Sequence, residues 1–266
     1  MVMSQGRPLF LIQDLERVVL DHFTFLPTAL GCDLRIHHGL HMIKAGLGSS
    51  MFNIVYGRPQ VGGDEVKRLV LGVIDHYKGQ PFAWWIGPSQ RHEVLSACLA
   101  SCGLRQETTE HAMVHHVQKS AGYDRDGPLS IHAVTSKVLL EEMCELLDPY
   151  DESARLFYAR CKDHHLTGSE KLFLGRVGGD VCTMGILYYE GKSAGIFSLI
   201  TAPNHQGRGY GHHMMRFLMA EAKKLGVQEI FLSASSEVGF RLYERLGFEK
   251  IALFDCFEYH PEGIKE

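Results

Sequence analysis

Within APNHQGRGYGHHMM, residues 202–215, glycine recurs at Gly207, Gly209 and Gly211, directly ahead of a segment with helical periodicity. The first N–H groups of a helix lack internal acceptors and sit at the positive end of its dipole. A phosphate placed there gains several hydrogen bonds and a favourable field. Alternate glycines remove the Cβ atoms that would hold an anion away, and the amides of Arg208 and Tyr210 between them can turn inward as a nest. The spacing predicts a ligand with a phosphate end. A Walker loop is disfavoured, because His212 and His213 follow Gly211 where that loop needs a lysine and a hydroxyl. A dinucleotide fingerprint is disfavoured too, since the next strand ends Ser233-Ala234-Ser235-Ser236 without the acid that would hold a ribose.

The elements that must position this loop follow from periodicity. SKVLLEEMCELLD and DESARLFYARCKD carry apolar residues at helical spacing, with Ser136 and either Asp151 or Ser153 as N-caps. KLFLGRV, VCTMGILYY and SAGIFSLIT read as three strands joined by short glycine turns, an antiparallel meander. Beyond the loop, Met214, Phe217, Leu218, Ala222 and Leu225 keep a helical period that Gly226 ends in a left-handed cap. VQEIFLSAS is a strand, SSEVGFRLYERLG a short helix and FEKIALF a further strand. SAGYDRDGP divides the chain into residues 1–119, a linker over 120–128, and residues 129–266. In the first part VKRLVLGVIDHYKG and RHEVLSACLASCG read as helices and PFAWWIGP as a buried strand, with a further strand ending before Val117. No comparable glycine loop occurs there, so this part is expected to be accessory.

Composition narrows the function classes. The 266 residues are 45% hydrophobic and 22% charged, enough for a sizeable core. The formal net charge of -4 and the absence of a dense Lys/Arg run give no support to nucleic-acid binding. Gln13, Asp14 and Glu16 interrupt the opening apolar positions, so no signal peptide is expected, and no run reaches the roughly 18–20 apolar residues of a membrane span. A cytoplasmic protein with no membrane association is expected. Seven cysteines without a secreted framework's density read as reduced thiols, with Cys98 and Cys102 as small core residues on one helical face.

Gln206-Gly207-Arg208-Gly209-Tyr210-Gly211 resembles the signature Arg/Gln-x-x-Gly-x-Gly/Ala of the GCN5-related N-acetyltransferase (GNAT) family. The order of elements and ASSEVGFRLYERLGF agree with it over about residues 129–260, and the first half resembles a degenerate second copy. The resemblance implies an α/β (α+β) fold with a mainly antiparallel sheet flanked by helices, beside a smaller mixed second domain. It implies an acetyl-CoA-dependent N-acetyltransferase acting by direct transfer to a primary amine, with Gln206 to Gly211 gripping the coenzyme A pyrophosphate. Leu199, Ile200 and Thr201 would offer backbone groups to the pantetheine arm and acetyl oxygen. Tyr243 would serve the departing thiolate; packing on the helix's apolar face is the competing reading. Ser236 stands where many relatives have an asparagine, as a shorter contact or an N-cap.

No base for the amine emerges: the strand before the loop lacks a carboxylate, and Glu190, Glu237, His212 and His213 receive no role. His37, His38, His41, His111, His115 and His116 lack zinc spacing, so no metal is expected. Trp84 and Trp85 point to opposite faces of a strand, one into the core and the other toward a partner surface or the other half, and a first half covering the cleft would shape the acceptor site. The acceptor is a small-molecule or peptide amine. A coenzyme A-binding sensor, a transferase of longer acyl groups and an interaction module are the alternatives.

Overall fold

The sequence LFLIQDLERVVLDHFTFLPTA places Leu11, Leu15, Val18, Val19 and Leu26 at helical spacings of three, four and seven and buries them along one side of a long helix, α1 (Leu9–Ala29). This computed structural model describes residues 9–91, 93–119, 123, 127–149 and 152–261. After α1 come β1 (Asp33–His37), β2 (Leu40–Lys44), β3 (Asn53–Gly57), α2 (Asp64–Tyr77), β4 (Phe82–Ile86), α3 (Glu93–Ser101) and β5 (Arg105–His116). The second half contributes β6 (Ser130–Ala133), α4 (Lys137–Leu147), α5 (Ser153–Tyr158), β7 (Glu170–Val177), β8 (Asp180–Glu190) and β9 (Ser193–Thr201). It closes with α6 (Tyr210–Lys224), β10 (Glu229–Ala234), α7 (Glu237–Arg245) and β11 (Glu249–Tyr259).

All eleven strands join one sheet in the order β1-β2-β3-β4-β11-β5-β10-β9-β8-β7-β6. Only β3–β4 and β9–β10 are parallel among the described pairs. The two halves interlock near the centre of the sheet: β11 lies between β4 and β5, and β5 lies between β11 and β10. Each half thus places its last strand inside the other. The 120–128 division falls between β5 and β6, and residues 120–122 and 124–126 of it lie outside the described residues.

The expected α/β class, with its mainly antiparallel sheet flanked by helices, is the one observed. The meander appears as β7, β8 and β9, antiparallel throughout. Ser136 caps α4 by accepting from the Leu139 N–H at 3.5 Å. At α5 Glu152 takes the cap position without a side-chain bond, and Asp151 lies outside the described residues. Four strands and α1 go beyond the sequence reading: β1, β2, β3 and β6 span only four or five residues each, too few to set a period.

The sheet has two covered faces. Met214, Met215 and Leu218 of α6 pack with Ile230, Leu232 and Ala234 of β10 and Met113 of β5. On the opposite face, Leu15, Val18 and Val19 of α1 pack with Ala112 and Val114 of β5, Phe231 of β10 and Phe254 of β11. Trp84 is fully buried in the first half, whereas Trp85 meets Phe23 of α1 and Phe254 of β11 at 5.4 and 5.9 Å between ring centres. Among the described residues no helix is long and apolar enough to cross a membrane.

Candidate functional site

Strands β9 and β10 pair only through Ser193, Ala194 and Gly195 against Glu229, Ile230 and Phe231. Both continue, to Thr201 and Ala234, with no pairing between them. The divergence leaves one edge of β9 unpaired, an opening into which an extended chain can lay its own hydrogen-bonding groups. A bulge sits at the start of it. Ile186 opposes Phe197 and Met184 opposes Ile200, so Ser198 and Leu199 together face Gly185. Ser198 has φ 49, uncommon for a residue with a side chain. A Cβ on Gly185 would meet Leu218 Cδ1 at 2.7 Å, so glycine lets α6 seat against β8 beside the bulge.

The glycine loop closes the end of that opening. Gln206 Nε2 donates to the Thr201 carbonyl at 3.1 Å, tying the loop back to β9. Gly207 and Gly209 adopt φ 74 and 82 with nothing within 4 Å of a Cβ at either position. Gly209 occupies the cap position of α6 without a side-chain bond, and the first turn holds no acid, so its amides remain available to an anion. Gly211 sits beside Thr201, whose Oγ1 would lie 3.3 Å from an added Cβ. Arg208 is exposed, and the half-buried Tyr210 ring lies 6.0 Å from that of His205. Burial, then the charges of Arg216, His213 and Arg245, hold the His212 imidazole below its usual range. The two arginines give the loop a positive surround without a charged His212.

Tyr243 projects from α7 toward the start of that helix. A Cβ on Gly239 would lie 3.1 Å from Ser236 Oγ and 3.7 Å from the Tyr243 hydroxyl, so this glycine leaves the phenol its space. Burial, and secondarily the carboxylate of Glu110, push Tyr243 up to about 12. The same ring also packs with the α6–β10 core. Ser236 caps α7, its Oγ accepting from the Gly239 N–H at 3.1 Å.

Glu110, which sequence reasoning passes over, reaches this place from the first half. It lies buried on β5, accepts from Ser233 Oγ of β10 and from Thr108 Oγ1, and has its carboxyl raised by burial despite those bonds. A carboxylate inside an otherwise closing apolar alternation, ETTEHAMV, was the available signal. Glu190 pairs with Arg17 at 2.8 Å and Glu237 with Arg241 at 2.8 Å. Parallel β9 and β10 end on the same side of the sheet, with Gln206 to Gly211 following the one and Ser236 and the helix of Tyr243 following the other, while Leu199, Ile200 and Thr201 lie along the unpaired edge of β9. A cavity of about 1000 Å³ between β1, β2 and the end of α2 lies elsewhere, lined by none of these residues. The histidines are scattered, and no cluster of three or more metal-ligating side chains occurs among the described residues. All seven cysteines are free thiols.

Splayed parallel strands thus end on a glycine-opened helix start, an open strand edge beside unoccupied backbone amides. Residues 139–248 match the acetyltransferase (GNAT) family, and this stretch is a GNAT domain. A 74-residue stretch is 30% identical to a [ribosomal protein bS18]-alanine N-acetyltransferase of Haemophilus influenzae, covering 27% of this chain. The match spans about half, 51%, of that relative's length. Among solved structures, a GCN5-related N-acetyltransferase from Kribbella flavida superposes with TM-score 0.71 at 13% identity, over 94% of this chain and 96% of that one. A functionally unknown conserved protein from Staphylococcus epidermidis superposes with TM-score 0.65 at 10% identity, over 87% and 95%. Both show likeness of fold.

Proposed function

We propose that the chain is an acetyl-CoA-dependent N-acetyltransferase that moves an acetyl group directly to a primary amine. The observation that carries this reading is the β9 edge left unpaired beyond Gly195, which runs into the Gln206–Gly211 loop at the start of α6. The residues fit the cosubstrate: Gly207 and Gly209 leave open space over free amides for a pyrophosphate, and a strand edge matches the amide groups of a pantetheine arm. Acetyl-CoA supplies an activated acyl thioester when bound.

The residue roles follow. The amides at Arg208, Tyr210 and Gly211, with Gly207 and Gly209 setting the turn, hold the pyrophosphate, and Gln206 anchors the loop through Thr201. The backbone at Leu199, Ile200 and Thr201 orients the arm and polarises the acetyl oxygen. Ser236 acts through its cap on α7, which holds Tyr243. Tyr243 stays protonated at neutral pH, since its hydroxyl is raised to about 12. A thiol near 8.5 is the stronger acid, so Tyr243 stabilises the departing thiolate by donating a hydrogen bond and keeps its proton.

Residues 1–119 form the accessory part, read as a degenerate copy of the same unit whose β5 and α1 complete the cleft. The acceptor class is a small or peptide amine. The similarity to an enzyme whose name specifies an alanine acceptor makes a peptide beginning with alanine the first acceptor to try. Calorimetry with coenzyme A and acetyl-CoA, followed by coenzyme A release in the presence of that peptide and of spermidine, tests the reading. Micromolar binding and amine-dependent release are expected. A folded chain that binds neither ligand overturns it.

A further inference from the structure

We propose that His22, held by Glu170, takes the proton from the acceptor amine, so that α1 of the first half supplies a catalytic residue to the cleft of the second. The inference rests on the acetyl-transfer reading. His22 Nδ1 lies 2.7 Å from Glu170 Oε2, and Glu170 is 2% exposed at the start of β7. A carboxylate so far from water needs a donor, and the imidazole is the one that reaches it. The ring also stacks on Phe197, with centres 3.7 Å apart and planes 8° from parallel. One contact sets the tautomer and the other the plane. With the Nδ1 proton directed at Glu170, Nε2 carries the free lone pair.

That nitrogen has no hydrogen-bond partner among the described residues, and it is not one of the buried polar atoms left unsatisfied. It therefore opens on accessible space, in a side chain that is 17% exposed. Its place is set by Phe197, two residues beyond the last rung to β10 and immediately before the Ser198–Leu199 bulge. Phe197 points to the α1 side, where a Cβ on Gly195 would meet the Phe197 ring at 2.4 Å and Val18 Cγ1 at 2.8 Å. Tyr243 packs from the α6 side. The base and the thiolate's hydrogen-bond donor thus lie on opposite faces of the sheet.

Glu110 is the competing carboxylate, but it is already engaged by Ser233 and Thr108 and burial disfavours its charged form. The charged group against His22 is Glu170 from β7; on its own helix Asp21 pairs with Arg17, which also reaches Glu190 of β8. In the transfer the amine nitrogen bonds to the acetyl carbonyl carbon and its proton passes to His22 Nε2. The carbon–sulfur bond breaks with its electron pair on sulfur, hydrogen-bonded to Tyr243. His22 then returns its proton to solvent, where the thiolate can recover one.

The test uses the full chain with H22Q, E170Q and, as a control outside the dyad, D21N. The readouts are coenzyme A release with the alanine peptide and spermidine, coenzyme A affinity by calorimetry, and imidazole tautomer by nitrogen NMR. H22Q is expected to lower kcat at least 100-fold, within the range of general-base removal, with affinity unchanged within twofold. E170Q is expected to lower kcat about 10-fold and to loosen the tautomer, and the wild-type ring is expected to carry its proton on Nδ1. D21N should stay within threefold of wild type. Turnover by H22Q within threefold of wild type, or a wild-type ring protonated on Nε2, overturns the proposal. A wild type that binds no coenzyme A overturns the acetyl-transfer reading and this one with it, whereas an active but His22-indifferent enzyme sinks only the second.

Discussion

Two helix starts occupy corresponding places in the sheet, α2 after β3 and α6 after β9, and each leads to a strand parallel to the one before it. Each parallel pair has three rungs, yet β9 runs six residues past its last rung while β3 runs one, to Gly57. The first pair therefore has no open edge to offer. Their helix starts differ in charge as well: α2 begins with Asp64 and Glu65, which would repel an anion, and α6 begins with no acid. The first half's corner is further filled by Glu16, which accepts from the Ser89 N–H at 2.8 Å and from Ser89 Oγ at 2.6 Å. Glycine at a helix start is thus insufficient. Strand divergence and absence of acid make the difference.

The largest effect should come from separating the halves. Strand β5 pairs with β10 over residues 111–116 and with β11 over residues 105–114, so residues 129–266 alone would leave facing edges of both strands open. We expect that fragment to lack a cooperative thermal transition by circular dichroism, and residues 1–119 added separately to restore one. A stable isolated fragment would mean that β10 and β11 can pair directly.

Next in size is a matched pair of substitutions. Gly209→Glu puts a side chain and a negative charge at the φ 82 cap of α6, and should weaken acetyl-CoA binding more than 100-fold by calorimetry. Gly63→Glu makes the same change at the φ 59 cap of α2 and should leave affinity within twofold. Equal losses would erase the contrast between the halves.

Much of the second half could be read from sequence because its signals are local. Period-two and helical patterns, the Ser136 cap and the left-handed Gly226 all depend on neighbours within a few residues. The divergence of β9 from β10 is a relation between strands about 35 residues apart, and no residue type announces it. The bulge at Ser198 is equally silent, since serine carries no preference for φ 49. Helix α1 is a different case: its buried residues keep a regular spacing, and the 21-residue run is legible once examined for a period rather than for a leader. Glu110 comes beside Tyr243, and His22 against Glu170, only because strands interlock and α1 packs on the sheet, which joins residues more than 100 positions apart in sequence.

Two smaller changes separate site from support within α7. Tyr243→Phe removes the hydroxyl and keeps the packing, so kcat should fall about 10- to 100-fold with coenzyme A affinity and melting temperature unchanged. Ser236→Ala removes the cap on the Gly239 N–H and should cost about 1 kcal/mol in denaturant unfolding with little change in affinity. A tenfold loss of affinity instead would move Ser236 from support to ligand contact.

The smallest effect lies where α1 meets the second half, at Asp21. Burial, then Glu190, raise its carboxyl to about 6, while Arg17 only partly offsets them. Because the folded value exceeds the unfolded one, the native state holds the Asp21 proton more tightly. Below pH 4 both states are protonated and the group costs nothing; as pH rises through about 6 the folded chain must accept a desolvated charge, and stability falls. Asp21→Asn removes that charge, so it should raise the melting temperature slightly at pH 7.5 and leave it unchanged at pH 4. A lower melting temperature at pH 7.5 would show that the Arg17 contact at 3.4 Å within α1 outweighs the burial, with Arg17 in turn pinning α1 to the second half through Glu190 at 2.8 Å. The His22–Glu170 contact would then be one of two such pins, and the kinetic distinction between H22Q and D21N would carry the whole case for a proton acceptor on α1.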